Sequence, residues 1–86
     1  MSFTYNGKPI LSTKVAVDEL SHLGLHFEHV CRILEKGFPI RKRRKNIIEK
    51  GILNGTKIIN VVVVDMGNYY KLIHVGKFTT KGKFKK

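Results

Sequence analysis

The sequence predicts an α+β fold, with two N-terminal helices packed on a three- to four-stranded antiparallel β-meander. Two observations lead to this prediction. Apolar residues recur at helical spacing before Gly37, and β-branched residues dominate the chain after Pro39. Helices and strands that occur in separate blocks are typical of two-layer α+β domains. The 86 residues allow one small domain, which we place at residues 1–78, followed by a basic, flexible tail at residues 79–86.

The segment before the first helix is compatible with more than one structure. Residues 2–10 carry the turn signal Asn6-Gly7, and we expect a small strand, a hairpin or loose chain there. The first helix then begins after Ser12 or Thr13, since either side chain can cap its N-terminus. We expect this helix to end at about Leu23.

The clearest helical periodicity lies between His26 and Lys36. Apolar residues there follow the spacing i, i+3, i+4 and i+7: Phe27, Val30, Cys31 and Leu34. Such a spacing places these side chains on one face of an amphipathic helix. Gly37 is a natural end for this second helix.

The remaining elements form a meander of three strands. Asn54-Gly55 separates two β-rich runs, which is the strongest short-range signal for a two-residue hairpin loop. Residues 67–68 supply the second turn. With these two turns, Ile48 faces Val61, and Val61 faces His74.

Side chains alternate between the two faces of such a meander. We expect the helices to cover the more apolar face, which holds Ile47, Glu49, Ile58, Val62, Val64, Tyr69, Ile73 and Val75. The opposite face then gathers the side chains with richer chemistry: Arg44, Asn46, Lys50, Tyr70 and His74.

Charge is concentrated in the second part of the chain. The protein has 17 Lys and Arg against 6 Asp and Glu, for a formal net charge of +11. Residues 1–35 hold three basic and four acidic side chains (net −1), and residues 36–86 hold fourteen and two (net +12). A compact protein this basic usually binds a polyanion. Nucleic acid is the first candidate, an acidic protein the second and an anionic membrane surface the third.

Several classes of protein are disfavoured by the same sequence. The longest apolar run, Ile58–Val64, is far shorter than the roughly 20 residues that span a bilayer. The single cysteine, Cys31, cannot form an internal disulfide, and the first ten residues lack a signal-peptide pattern. We therefore expect a cytoplasmic protein without a membrane partner. His22, His26 and His29 complete no recognised ligand set, so we expect neither a metal nor another cofactor.

The run from Arg41 to Lys45 is the sharpest local feature. Five adjacent cations repel one another, whereas contacts with phosphates favour such a cluster. The alternative is a solvated loop, or a charged guard beside a strand edge. The residues expected to bind nucleic acid are Arg41, Lys42, Arg43, Arg44, Lys45, Lys50, Tyr70 and Lys77.

Two further features are compatible with binding or cleaving a nucleic acid. Tyr69-Tyr70 and Phe78 alternate with lysines, an arrangement that favours stacking on unpaired bases, although aromatic residues are also ordinary in strands. His74 lies in the middle of a strand and is a candidate for proton transfer, since histidine gains and loses a proton near neutral pH. The alternative for His74 is a hydrogen-bonded structural role.

The order of elements on a small basic chain resembles the RelE-like toxin superfamily of toxin–antitoxin pairs. Residues 24–37 are similar to its glycine–helix–glycine segment, and residues 69–76 to its late core strand. This resemblance implies metal-independent cleavage of RNA, free or ribosome-bound, and an acidic antitoxin that covers the basic sheet. It also implies catalytic roles for four residues: charge stabilisation by Arg44 and Lys71, and proton transfer by Tyr70 or His74.

Two other functions stay open at this point. The chain could be a non-catalytic nucleic-acid-binding module, either sheet-based or winged-helix-like, with residues 18–34 as a helix–turn–helix. Glu28 and Glu35 would repel phosphate in that second version. The other possibility is an interaction module for an acidic protein. The sequence leaves the oligomeric state and the base preference undetermined.

Overall fold

The structure is a computed structural model, and it describes residues 3–40 and 44–79. The elements in chain order are β1 (Thr4–Tyr5), β2 (Lys8–Ser12), α1 (Lys14–His22), α2 (Phe27–Lys36), β3 (Phe38–Pro39), β4 (Ile47–Asn54), β5 (Lys57–Asp65) and β6 (Tyr70–Thr79). In this part of the chain, neither helix has the length and apolar character needed to cross a membrane. Strand β6 includes Thr79, so it extends one residue beyond the predicted domain end, and the remaining tail residues lie outside the described ranges.

The strands form one six-stranded sheet in the order β1-β2-β6-β5-β4-β3. Strand β2 runs parallel to β6, and every other neighbouring pair is antiparallel. The predicted fold of two N-terminal helices on a three- to four-stranded antiparallel meander is therefore wrong. The sheet is instead a mixed half-barrel, and the helices follow a hairpin, which is one of the structures expected for residues 2–10. The error arose because the pairing of β2 with β6 joins segments about sixty residues apart, which local patterns do not reveal.

A tight hairpin joins β1 to β2. Asn6 and Gly7 have φ angles of 53° and 76°, and a two-residue type I′ turn requires positive φ at both central residues. Thr4 pairs with Pro9, and Tyr5 pairs with Lys8. This hairpin carries β2 to its place beside β6.

Both helices lie close to their predicted positions. The Thr13 hydroxyl accepts a hydrogen bond from the Ala16 backbone N–H at 3.1 Å and so caps α1. The helices bury their apolar stripes against the sheet through Ala16, Leu20, Val30, Ile33 and Leu34. At the end of α2, Gly37 lies so close to the Gly51 carbonyl oxygen that a Cβ at Gly37 would stand 2.6 Å from it.

The helices cover the face that was predicted to be open. This inner face contributes to the core Ile48, Ile52, Ile59, Val61, Val63, Tyr70, Leu72 and Val75. The choice of face was wrong because apolar side chains are buried on both faces: Ile58 and Val62, on the outer face opposite the helices, are only 0% and 1% exposed. Apolar character therefore does not distinguish the two faces.

Strand register also differs from the prediction. The loop between β4 and β5 is Gly55-Thr56, so Asn54 pairs with Lys57, and Ile48 faces Val63 instead of Val61. The pairing of β5 with β6 begins as predicted, with Asp65 opposite Tyr70. A register shift between Val62 and Val63 then places His74 opposite Val62 instead of Val61. This bulge adds one residue to β6 immediately before His74.

Candidate functional site

The site lies where α1 meets the edge of β6. Strand β2 pairs with β6 only from Tyr70 to Leu72, so no strand within residues 3–40 and 44–79 pairs with the following part of β6 on that side. Glu19 of α1 occupies this edge. One carboxylate oxygen, Oε1, accepts a hydrogen bond from the backbone N–H of Val75 at 2.8 Å.

The other oxygen of Glu19 holds the His74 ring. Oε2 lies 3.1 Å from Nδ1 of His74, and the two side chains are 31% and 48% exposed. A carboxylate accepts hydrogen bonds and an imidazole nitrogen donates one only when protonated, so this contact places a proton on Nδ1. In the neutral ring, Nε2 then carries the lone pair.

The second ring nitrogen lies close over Gly76, where the absence of a side chain leaves a gap smaller than a methyl group, called the recess below. A Cβ built on Gly76 would stand 3.0 Å from Nε2 of His74 and 2.8 Å from Oδ1 of Asn60. Both distances run to the same point, so the nitrogen and the oxygen border one space. A larger residue at position 76 would displace at least one of these two side chains.

A buried polar pair fixes the other side of the recess. The amide nitrogen of Asn60 donates a hydrogen bond to Oε2 of Glu49 at 2.7 Å, and the two residues are 5% and 3% exposed. Because the carboxylate accepts, this bond orients the amide and leaves Oδ1 directed at Gly76. The outer face of the sheet therefore presents two oriented polar atoms side by side.

Cations lie toward one end of this outer face. Lys71 is exposed. It lies on the same face as His74 because the bulge between them adds one residue to the usual alternation of side chains. It pairs with Val64, which in turn pairs with Ile47 at the start of β4. Arg44 and Lys45 are exposed just before β4, and the Arg44 carbonyl accepts a hydrogen bond from the Ile47 N–H at 3.0 Å. Lys71, Arg44 and Lys45 thus lie at the same end of the sheet.

Tyr70 is separated from His74. It lies on the inner face, 4% exposed, and its hydroxyl meets the Asn6 side-chain amide at 3.3 Å. The Lys8 ammonium stands 4.5 Å from the centre of its ring. The phenol is therefore packed in the core and does not reach the outer face.

Lys50 is also directed to the inner face. Its ammonium donates hydrogen bonds to the Tyr5 hydroxyl at 3.1 Å and to the Leu34 carbonyl at 2.9 Å, near the end of α2. Through these contacts, Lys50 links β4 to β1 and α2. Lys77 is exposed on β6, farther along the strand than His74. Arg41, Lys42 and Arg43 lie outside the described residues.

The remaining candidate residues lie apart from this site. His26 and His29 cap the start of α2, where the His26 N–H donates to Nδ1 of His29 at 2.9 Å. Within residues 3–40 and 44–79, no three His, Cys, Asp or Glu residues form a group that could hold a metal ion. Burial, and secondarily the charge of Glu35, raises the pKa of the Cys31 thiol, which packs against the core. The thiol is therefore protonated near neutral pH.

Compared with protein-family models, with curated proteins and with solved structures, the chain matches none of them. The function must therefore be inferred from the site itself. The site consists of a histidine that a carboxylate orients, exposed Lys71 on the same face, and exposed Arg44 and Lys45 at the nearby end of the sheet. Sequence reasoning singled out His74, Lys71 and Arg44, but it missed Glu19, Asn60 and Gly76.

Proposed function

We propose that the protein cleaves RNA without a metal ion, as the toxin of a toxin–antitoxin pair. The observation that supports this most is the contact between Glu19 and His74 on the outer face of a sheet in a strongly basic chain. A histidine oriented by a carboxylate is suited to act as a general base. The net charge of +11 favours a polyanionic substrate.

The proposed reaction is an internal transesterification. Nε2 of His74 takes the proton of a ribose 2′-hydroxyl, and the 2′-oxygen forms a bond to the adjacent phosphorus. The bond from phosphorus to the 5′-oxygen breaks, and that oxygen takes a proton from solvent. The products are a 2′,3′-cyclic phosphate and a 5′-hydroxyl.

Lys71 and Arg44 have the second role in this proposal. Negative charge develops on the phosphate oxygens as the new bond forms, and positioned cations stabilise such charge. Lys71 shares the outer face with His74, and Arg44 and Lys45 extend the basic surface just before the start of β4. Tyr70 has no part in this mechanism because it is buried on the inner face.

The partner in this proposal is an acidic antitoxin protein. Acidic side chains would compete with RNA phosphates for Lys71, Arg44 and Lys45, so such a protein would block binding and cleavage together. We propose cytoplasmic RNA as the substrate, either free or bound to the ribosome.

To test for RNA cleavage, the purified protein is incubated with end-labelled RNA in EDTA, with and without ribosomes. We expect the wild type to produce fragments that end in a cyclic phosphate. His74→Ala should reduce the rate about 10²- to 10⁴-fold, the usual contribution of a general acid or base. His22→Ala is the matched control, since His22 is an exposed histidine on α1 and should leave the rate unchanged. RNA that stays intact with wild-type protein under both conditions contradicts the proposal.

A non-catalytic RNA-binding role is the second candidate. It is favoured by the exposure of Arg44, Lys45 and Lys71, since phosphate binding needs cations and no proton transfer. It predicts binding that weakens steeply as salt rises, with no fragments at any protein concentration.

A further inference from the structure

Glu19 makes two contacts that serve different ends. Oε1 accepts a hydrogen bond from the Val75 N–H at 2.8 Å and thereby satisfies one backbone donor at the edge of β6. Oε2 meets Nδ1 of His74 at 3.1 Å. A structural role for Glu19 needs only the first contact, whereas the second acts on the residue that carries the proposed chemistry.

Each ring nitrogen of His74 has a defined neighbour. The Glu19 carboxylate lies at Nδ1, and Nε2 faces the recess between Gly76 and Asn60. Strand β6 also bulges just before His74, which sets the direction in which the side chain leaves the sheet. The backbone therefore sets the direction of the side chain, and Glu19 favours one tautomer of the ring.

We propose that Glu19 is the positioning residue of the site. It keeps the proton of the neutral His74 ring on Nδ1 and leaves Nε2 as the atom that accepts a proton from the substrate. The catalytic consequence of this inference rests on the proposed function, whereas the position of the ring proton does not. Helix α1, in the near-neutral part of the chain, thus contributes a residue to the proposed reaction at His74 on β6.

Glu19→Gln separates the two contacts of this side chain. The glutamine oxygen can still accept the Val75 N–H, so the edge of β6 keeps its partner. The glutamine NH₂ group then faces Nδ1 and donates to it, which moves the ring proton to Nε2. A ring protonated on Nε2 cannot act as a general base through that nitrogen.

The test measures the ring nitrogens of His74 by long-range ¹H–¹⁵N correlation in the free protein, at a pH where the ring is neutral. We expect the Nδ1–H form in the wild type and the Nε2–H form in Glu19→Gln. In RNA cleavage, Glu19→Gln should lower kcat by about 10²- to 10⁴-fold and leave KM nearly unchanged, because a wrong tautomer removes the base without removing the phosphate contacts. Glu19→Asp retains a carboxylate and should restore part of the rate.

Asp18→Asn is the matched control. It removes one carboxylate from the neighbouring, exposed position of α1 and makes the same change in net charge. It should leave the His74 tautomer and kcat as they are in the wild type. A loss of rate shared by Asp18→Asn and Glu19→Gln would mean that the charge of α1 matters and would contradict a positioning role.

Two results overturn the inference. One is an Nε2–H tautomer in the wild type, which is measurable even if Glu19→Gln does not fold. The other is a Glu19→Gln protein with the wild-type tautomer and the wild-type kcat. A wild type that leaves RNA intact but shows the Nδ1–H form, with inversion in Glu19→Gln, refutes the proposed function and supports the positioning role of Glu19.

Discussion

At the scale of single residues, the orientation of the His74 ring depends on a glycine beside it and on a carboxylate far away in the sequence. Gly76 leaves the space that Nε2 faces, and Glu19 reaches the ring from a helix 55 residues away in the chain. His74 could be selected from the sequence because a histidine in a basic, stranded region is a candidate for proton transfer. Glu19 could not, since the contact depends on how α1 docks at the edge of β6.

Gly76→Ala tests the recess directly. The new methyl group would stand 2.8 Å from Oδ1 of Asn60 and 3.0 Å from Nε2 of His74. Glu49 holds the Asn60 amide, so the His74 ring is the group that must move. We expect a loss of about 1–3 kcal/mol in the free energy of unfolding, typical of overpacking, together with shifted His74 ring signals in NMR spectra. Urea unfolding measures the first effect.

The control for this substitution is Lys77→Ala, at the next and exposed position of the same strand. It should change stability by less than about 0.5 kcal/mol, as exposed substitutions usually do. Equal unfolding midpoints for Gly76→Ala and wild type, with unchanged His74 signals, would show that the recess is wider than described.

At the scale of elements, the helices were predictable and the sheet was only partly so. The Thr13 cap and the apolar spacing of α2 are local signals, and both helices lie close to where those signals place them. The pairing of β2 with β6 is non-local and joins a short segment to the last strand. The choice of sheet face failed because the polar ends of Tyr70 and Lys50 find partners on the inner side.

An ion pair links the N-terminal hairpin to the end of β5. The Lys8 ammonium lies 2.8 Å from Oδ1 of Asp65, which also accepts the Gly67 N–H at 2.9 Å. The hydrogen bond from Lys8, and then that from Gly67, holds the pKa of Asp65 below its usual value. A carboxyl group whose pKa is lowered by folding stabilises the fold above its unfolded pKa of about 4 and loses this effect as pH falls through the folded pKa.

Asp65→Asn should therefore lower Tm by a few degrees at pH 7, since partly exposed ion pairs contribute modestly. The difference from wild type should shrink as pH falls below about 4 and through the lowered pKa of Asp65 in the folded protein, because the wild-type carboxyl then loses its charge. Thermal unfolding followed by circular dichroism between pH 2 and pH 8 measures both effects. Asp18→Asn is the control for the change in charge, and it should show no such pH-dependent difference. A difference in Tm that is constant over the whole range would assign the effect to the turn alone.

At the scale of the whole molecule, the sequence predicted a division between a near-neutral part and a basic part. That division follows from charge counting, with net −1 over residues 1–35 and +12 over residues 36–86. The structure refines it, because the near-neutral part supplies Glu19 to the edge of the basic sheet. In the proposed function, the second part would therefore bind phosphate and the first part would orient the base.

The most direct test of this account maps where RNA binds. A ¹⁵N-labelled protein would be titrated with a short RNA whose 2′-oxygens are methylated, which prevents cleavage. We predict the largest chemical-shift changes at Lys71, His74 and Gly76 on β6 and at Arg44-Lys45 before β4, all weakening as salt rises. Changes concentrated on the outer surface of α2, around Glu28 and Glu35, would contradict the account, as would the absence of changes at low salt.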